Sequence, residues 1–266
     1  MRSFLKYTLA TIVGLTIVII MTIIILGGVV AAIVSSTDKK EVVIKDNSVL
    51  AINFDETIVD RQSNDPFQSI DIPGLSGTKK LGLDQIVTAI ENAKDNDNIK
   101  GIYLNIDEIN AGYSACEEIR NALMDVKDSE KFIYAYSESY SQKAYFLTSL
   151  ADKVFINPEG MLVFSGISST NSFYKNALDK LGVEIQIIRH GKFKSAVEPL
   201  MLDKMSPENR RQIEVYIGSI WNNIVRGISE TRNISITELN RIADENMIYS
   251  TENTLLSYKL LDSIVY

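Results

Sequence analysis

From Tyr7 to Val34 the sequence carries no charged residue. Isoleucine, valine, leucine and threonine dominate the run. About 20 apolar residues suffice to cross a bilayer as a helix. The apolar core of a secretory signal is shorter, on the order of 7–15 residues. The run therefore predicts an uncleaved membrane anchor over residues 1–36, with cleavage after Ala31 and Ala32 as the runner-up. A buried soluble helix of this length would need a polar face, and none is present. Arg2 and Lys6 precede the run, and Lys39 and Lys40 follow it. The basic bias is close to balanced and barely orients the span by itself. Residues 37–48 read as a polar stalk.

Residues 49–266 are expected to form one α/β domain with a C-terminal helical extension. The net charge is −7 and the pI about 4.9, which argues against a nucleic-acid surface, since that needs a basic field. Cys116 is the only cysteine, so no intrachain disulfide can form. It falls in a helical pattern and reads as a small buried residue. With one cysteine and one histidine, His190, a metal site is poorly supported. No P-loop and no Gly-x-Gly-x-x-Gly fingerprint occurs, and no cofactor is expected.

Val49 to Phe54 reads as a first strand. Asp60 to Lys80, with Pro66, Pro73, Gly74 and Gly77, is a long irregular connection of the kind that forms lids and interfaces. Leu83, Ile86, Val87 and Ile90 then recur at helical spacing. Strands are expected at Ile99–Ile106, Phe132–Tyr136, Val154–Ile156, Leu162–Phe164 and Val183–Ile188. Helices are expected around Cys116–Leu123, Gln142–Ala151 and Ser169–Leu181. The alternation argues for parallel pairing. Ser206-Pro207-Glu208 opens a long helix, with Ser206 as cap and Pro207 in the first turn. Trp221 on that helix reads as a packing residue. Ser235-Ile236-Thr237-Glu238 has the form of a capping box. A last helical piece lies near Thr251–Tyr258.

The segment carrying the most chemistry is Gly191-Lys192-Phe193-Lys194-Ser195-Ala196-Val197-Glu198-Pro199. A lysine acts as a general base only when neutral. Its ordinary pKa is about 10.4, and burial can lower that by several units. A base poised near neutrality can take a proton from a serine hydroxyl. Phe193, Ala196 and Val197 could supply apolar cover for Lys194, and Gly191 permits an unusual turn. In isolation, however, a lysine here reads as a solvated surface residue. Ser195 is a poor nucleophile for Lys194, because adjacent side chains of an extended segment point to opposite faces.

Lys192 to Pro199 resembles the lysine motif of the long form of the signal peptide peptidase A (SppA) family. Val59-Asp60-Arg61, Leu81-Gly82-Leu83-Asp84, Asn98-Ile99-Lys100-Gly101-Ile102, Tyr140-Ser141-Gln142, Ala151-Asp152-Lys153 and Met205-Ser206-Pro207 are similar to other stretches of that family. The long form is a tandem of two halves, and this chain resembles the N-terminal half. The resemblance implies a ClpP/crotonase-like fold of repeated ββα units. It implies Lys194 as general base, with Gly191, Ser195 and Glu198 in its supporting loop. The family's nucleophile opens a helix as Ser-Gly-Gly, and here Gln142-Lys143-Ala144 stands at that place. The paired glycines that can hold an oxyanion correspond to Asn110-Ala111-Gly112. This half is therefore expected to lack a nucleophile.

The resemblance further implies a Ser-Lys dyad endopeptidase acting on membrane-derived peptides such as signal peptide remnants. It implies a homotetramer in the bacterial inner membrane, with the bulk of the chain periplasmic. A non-catalytic membrane-anchored scaffold is the alternative. Crotonase-type acyl-CoA chemistry is disfavoured by the anchor and the lysine motif.

Overall fold

A computed structural model of the chain describes residues 2–36, 43–62, 80–188, 190–191, 193–245, 247, 250 and 252–266. The chain divides into two units. In the first, residues 1–44 and 64–77, the described element is helix α1, Arg2–Ser36. Its stretch Ser3–Gly28 has a mean hydropathy of 2.9. Thr8, Thr11, Thr16 and Thr22 each donate a hydroxyl to the carbonyl four residues earlier. In this way the polar atoms on the apolar helix are satisfied within it. Its length and composition fit a membrane span, and equally a signal sequence.

The second unit, residues 45–63 and 78–266, is the α/β body. Its main sheet has five strands in the order β1-β4-β5-β6-β7, and every neighbouring pair is parallel. These are β1 (Ser48–Ile52), β4 (Ile99–Asn105), β5 (Phe132–Ser137), β6 (Lys153–Ile156) and β7 (Ser263–Ile264). A small parallel pair joins β2 (Thr57–Val59) to β3 (Lys80–Gly82). Parallel strands need crossovers, and helices α2 (Leu83–Asp95), α3 (Tyr113–Lys127) and α4 (Gln142–Thr148) lie between successive strands.

The core follows from the period-two pattern of the strands. Ile102, Leu104, Ile133, Ala135, Val154 and Ile156 are fully buried. On α2, Ile86, Ile90 and Ala93 repeat at helical spacing and are buried with them. On α3 the buried set is Cys116, Ile119, Arg120, Ala122, Leu123 and Val126. The last five residues of α4, Ala144 to Thr148, are all buried, so this helix is a core element. Burial pushes the Cys116 thiol up to about 11, against a smaller downward pull from the Lys143 cation. The buried-cysteine expectation therefore holds.

The C-terminal helices close over α4. They are α7 (Pro207–Arg232), α8 (Ile236–Asp244) and α9 (Glu252–Ser257). Ser206 caps α7 by accepting from the Asn209 N–H at 3.1 Å, and Pro207 occupies the first turn. Ser235 caps α8 through the Glu238 N–H. The Glu238 carboxylate pairs with Arg241 instead of closing the box. Trp221 donates its indole N–H to Asn240 and stacks near Phe164 at 5.3 Å, a packing role as expected. Strand β7 was not foreseen. It is anchored by the Asp262 carboxylate, which accepts from the Val154 N–H and pairs with Arg232 at 2.8 Å.

Three other elements differ from the sequence expectation. Ser169–Leu181 contains only the short helix α5, Lys175–Lys180, and none of its residues is buried. Leu162–Phe164 forms a single bridge, with Leu162 opposite Tyr140. Val183–Ile188 is not a strand: it pairs with no strand among the described residues. Its alternating apolar pattern suits pairing, yet Val183, Ile185 and Ile188 remain exposed. Most of the Asp60–Lys80 connection lies outside the described residues.

Candidate active-site loop

Gly191 has a φ of +93°, a left-handed backbone that favours glycine. No atom would contact a Cβ there, so backbone geometry, not crowding, accounts for the glycine. Lys194 follows with an exposed side chain, while the neighbouring Ser195 is half-buried. The Ser195 carbonyl accepts from the Glu198 N–H at 3.0 Å, which starts the single turn α6, Glu198–Met201.

Glu198 is the buried residue of the loop, 1% exposed. Its carboxylate accepts from the Ser206 hydroxyl at 2.5 Å and the Ser206 N–H at 3.2 Å. It also accepts from the Asn209 side-chain amide at 2.9 Å. The loop thus ends on the N-terminus of α7, where the helix dipole favours a negative charge. Sequence reasoning placed Glu198 in the loop but missed Asn209 as its partner. The available signal was position: Asn209 lies three residues after the Ser206 cap.

A second locus forms where the parallel strands end, the usual place for sites in such sheets. The Asp107 carboxylate accepts from the Ser137 hydroxyl at 2.5 Å and the Glu138 N–H at 2.9 Å. The Asp107 carbonyl accepts from the Ser141 N–H at 2.9 Å. Ser141 in turn caps α4. These bonds fix Gln142 at the start of α4. Its side-chain oxygen accepts from the Ser165 and Gly166 N–H groups, both at 3.1 Å. Its amide nitrogen donates to the Gly166 carbonyl at 3.1 Å. Gly166 has a φ of +84°. Gln142 is therefore a crosslink between α4 and the 165–166 turn.

The Asn110-Ala111-Gly112 turn leads into α3. The Lys143 ammonium donates to the Ala111 carbonyl at 2.7 Å and lies over the Tyr113 ring. Gly112 has an ordinary φ of −68° and simply starts α3. Beside the 165–166 turn a cavity of about 340 Å³ is lined by Ile167, Ile217, Trp221 and Asp244 among others. His190 is exposed in coil. Among the described residues no cluster of three or more His, Cys, Asp or Glu could hold a metal.

The sequence model of peptidase family S49 matches residues 125–266. The chain belongs to peptidase family S49. This S49 chain is 34% identical over 200 residues to Protease 4 of Haemophilus influenzae, covering 74% of the chain and 32% of that protein. It is 39% identical over 158 residues to Protease 4 of Salmonella typhi, covering 59% of the chain and 26% of that protein. It is 32% identical over 150 residues to the chloroplastic serine protease SPPA of Arabidopsis thaliana, covering 56% and 22%. The match thus spans about a third or less of the length of these relatives. The SppA-type resemblance and the ClpP-like α/β fold with a parallel sheet are thereby established for this S49 chain.

Proposed function

We propose that this chain supplies the lysine half of a membrane-anchored Ser-Lys peptidase. Residues 1–36 form the anchor, 37–48 a stalk, and 49–266 the lysine-bearing domain. The observation that carries the reading is the S49 match together with the Lys194 loop docked on α7 through Glu198. Neutral Lys194 takes the proton of a serine hydroxyl contributed by a partner half. The serine oxygen then attacks the peptide carbonyl, and the resulting ammonium returns the proton to the leaving amine. Water releases the acyl group in the same way.

Gln142 has no acidic hydroxyl and its amide is already engaged. In this reading the nucleophile is a serine contributed from outside residues 1–266. Lys194 is exposed here, so the burial a neutral lysine needs comes from the surface that brings the serine. The substrates are peptides left in or near the membrane, including signal peptide remnants. The assembly is a homotetramer in the bacterial inner membrane, with the domain periplasmic.

The test uses the complete protein and a fluorogenic peptide. Lys194→Ala should lower kcat by about 100- to 10,000-fold, the loss expected for a general base. Residues 1–266 alone should be inactive. Retained activity in Lys194→Ala overturns the base assignment. The engaged Gln142 amide also fits a second reading, a non-catalytic membrane scaffold. That reading predicts no hydrolysis even when the serine-bearing half is added.

A further inference from the structure

The buried carboxylate of Glu198 has no step in the reaction just described. Nor does Gln212, whose side-chain amide donates to the Phe193 carbonyl at 3.2 Å. These two bonds bracket Lys194. Phe193 directly precedes it, and Glu198 follows four residues later. Both lead to the first two turns of α7. The Pro199 carbonyl is held as well, by the Tyr174 N–H at 2.6 Å. Helix α7 continues into the core, where Ile224, Val225 and Ile228 are buried. The backbone around Lys194 therefore takes its position from the core through one rigid helix.

We infer that Glu198 and Gln212 are positioning residues that fix where Lys194 meets the serine, an inference that rests on reading Lys194 as the base. The chemistry at Glu198 is selective. Among the described residues three donors converge on its two oxygens, from the Ser206 hydroxyl, the Ser206 N–H and the Asn209 amide. A carboxylate is acceptor-only and can satisfy all three. A glutamine of the same shape loses the charge and keeps one acceptor oxygen, so it can hold the Ser206 N–H and the Asn209 amide only if the Ser206 hydroxyl reverses and accepts. Glu198→Gln thus loosens the loop without opening a cavity. Gln212 is exposed, so Gln212→Ala removes the other tie without touching the core.

The experiment measures kcat, KM and Tm in the complete protein. It compares wild type, Lys194→Ala, Glu198→Gln and Gln212→Ala. A misplaced base costs turnover more than binding, so both positioning variants should lose about 10- to 100-fold in kcat. KM should stay within about twofold, the pattern of an interaction made only in the transition state. Gln212→Ala should do this with Tm unchanged.

Wild-type kcat in Gln212→Ala, with only a lower Tm in Glu198→Gln, would overturn the inference and leave a purely structural clamp. Should Glu198→Gln fail to fold, Gln212→Ala decides alone. An active Lys194→Ala would sink the base reading and this inference with it. An inactive Lys194→Ala beside unaffected positioning variants would sink only the inference.

Discussion

The two halves of α7 belong to different worlds. From Trp221 onward the helix buries Ile224, Val225 and Ile228 against the core. Before Trp221 its one buried residue is Asn209, while Val215 and Tyr216 are exposed. The buried half is held by apolar area and by the guanidinium of Arg120. The exposed half is held at its tip by polar bonds to the Lys194 loop. Hydrophobic burial scales with area, so the first half has the larger stake in folding. The second half has room to meet another surface. On the function proposed above, both properties would be needed on one rigid rod.

Breaking the buried half should have the largest effect. Arg120 is 5% exposed. It donates to the Phe146 carbonyl, to Ser149 Oγ at 3.0 Å, to the Gly227 carbonyl at 2.6 Å and to Thr231 Oγ1 at 3.0 Å. Its guanidinium also lies 5.0 Å from the centre of the Phe146 ring. Burial pushes its pKa down to about 10, against an upward pull from Glu230, so it stays charged at neutral pH. Arg120→Met fills much of the volume but leaves polar groups of α4 and α7 without their cation. It should cost about 3 kcal/mol. For a domain of this size that is a fall in Tm of about 10 °C, read by thermal unfolding of the chain in detergent. A loss below about 1 kcal/mol would mean the buried half does not depend on this clamp.

Gly227→Ala probes the same contact more gently. A methyl group there would sit 3.0 Å from a Phe146 ring carbon and 3.2 Å from Arg120 Nε. The ring must shift, and overpacking of this kind costs about 1–3 kcal/mol. The better helix propensity of alanine returns up to about 1 kcal/mol. The expected net loss in urea unfolding is therefore about 1 kcal/mol. A stabilised variant would show that α4 and α7 are less closely packed than these distances imply.

The same contrast explains what was legible in the sequence. Strands β4, β5 and β6 and helices α2 and α3 were readable because each carries its own periodic apolar pattern. That pattern survives as the buried face. The Ser206 and Ser235 caps were readable because a cap is a local bond. Val183–Ile188 misled because it has a strand's pattern without a strand beside it, and pattern alone cannot supply a partner. Strand β7 was missed for the opposite reason. Two residues are too few to show a period, and their pairing depends on Asp262 reaching Val154 across the fold.

At the candidate site, the lysine loop was legible through its resemblance and the glycine at 191. The anchors Asn209 and Gln212 were not. Each is an ordinary polar residue on a helix until the loop folds back onto it. The resemblance singled out Gln142 as the residue standing where the family's nucleophile is expected. Its three bonds to the 165–166 turn depend on tertiary contact and could not be read from residue order.

Gly218→Ala sharpens the comparison from the exposed side, with the smallest effect. It lies on the same helix as Gly227, and no atom would come within 4 Å of an added Cβ. Propensity should then act almost alone, raising stability by about 0.5–1 kcal/mol. Urea unfolding of residues 1–266 measures this directly. Gly218 also borders the cavity next to the turn that Gln142 holds. The informative result is a disagreement between two preparations. If Gly218→Ala stabilises residues 1–266 but lowers activity or thermal stability in the complete protein, another surface must approach that glycine within a methyl's reach. Equal stabilisation in both would leave this stretch of α7 facing solvent and would confine the meeting surface to the Lys194 loop and the helix tip.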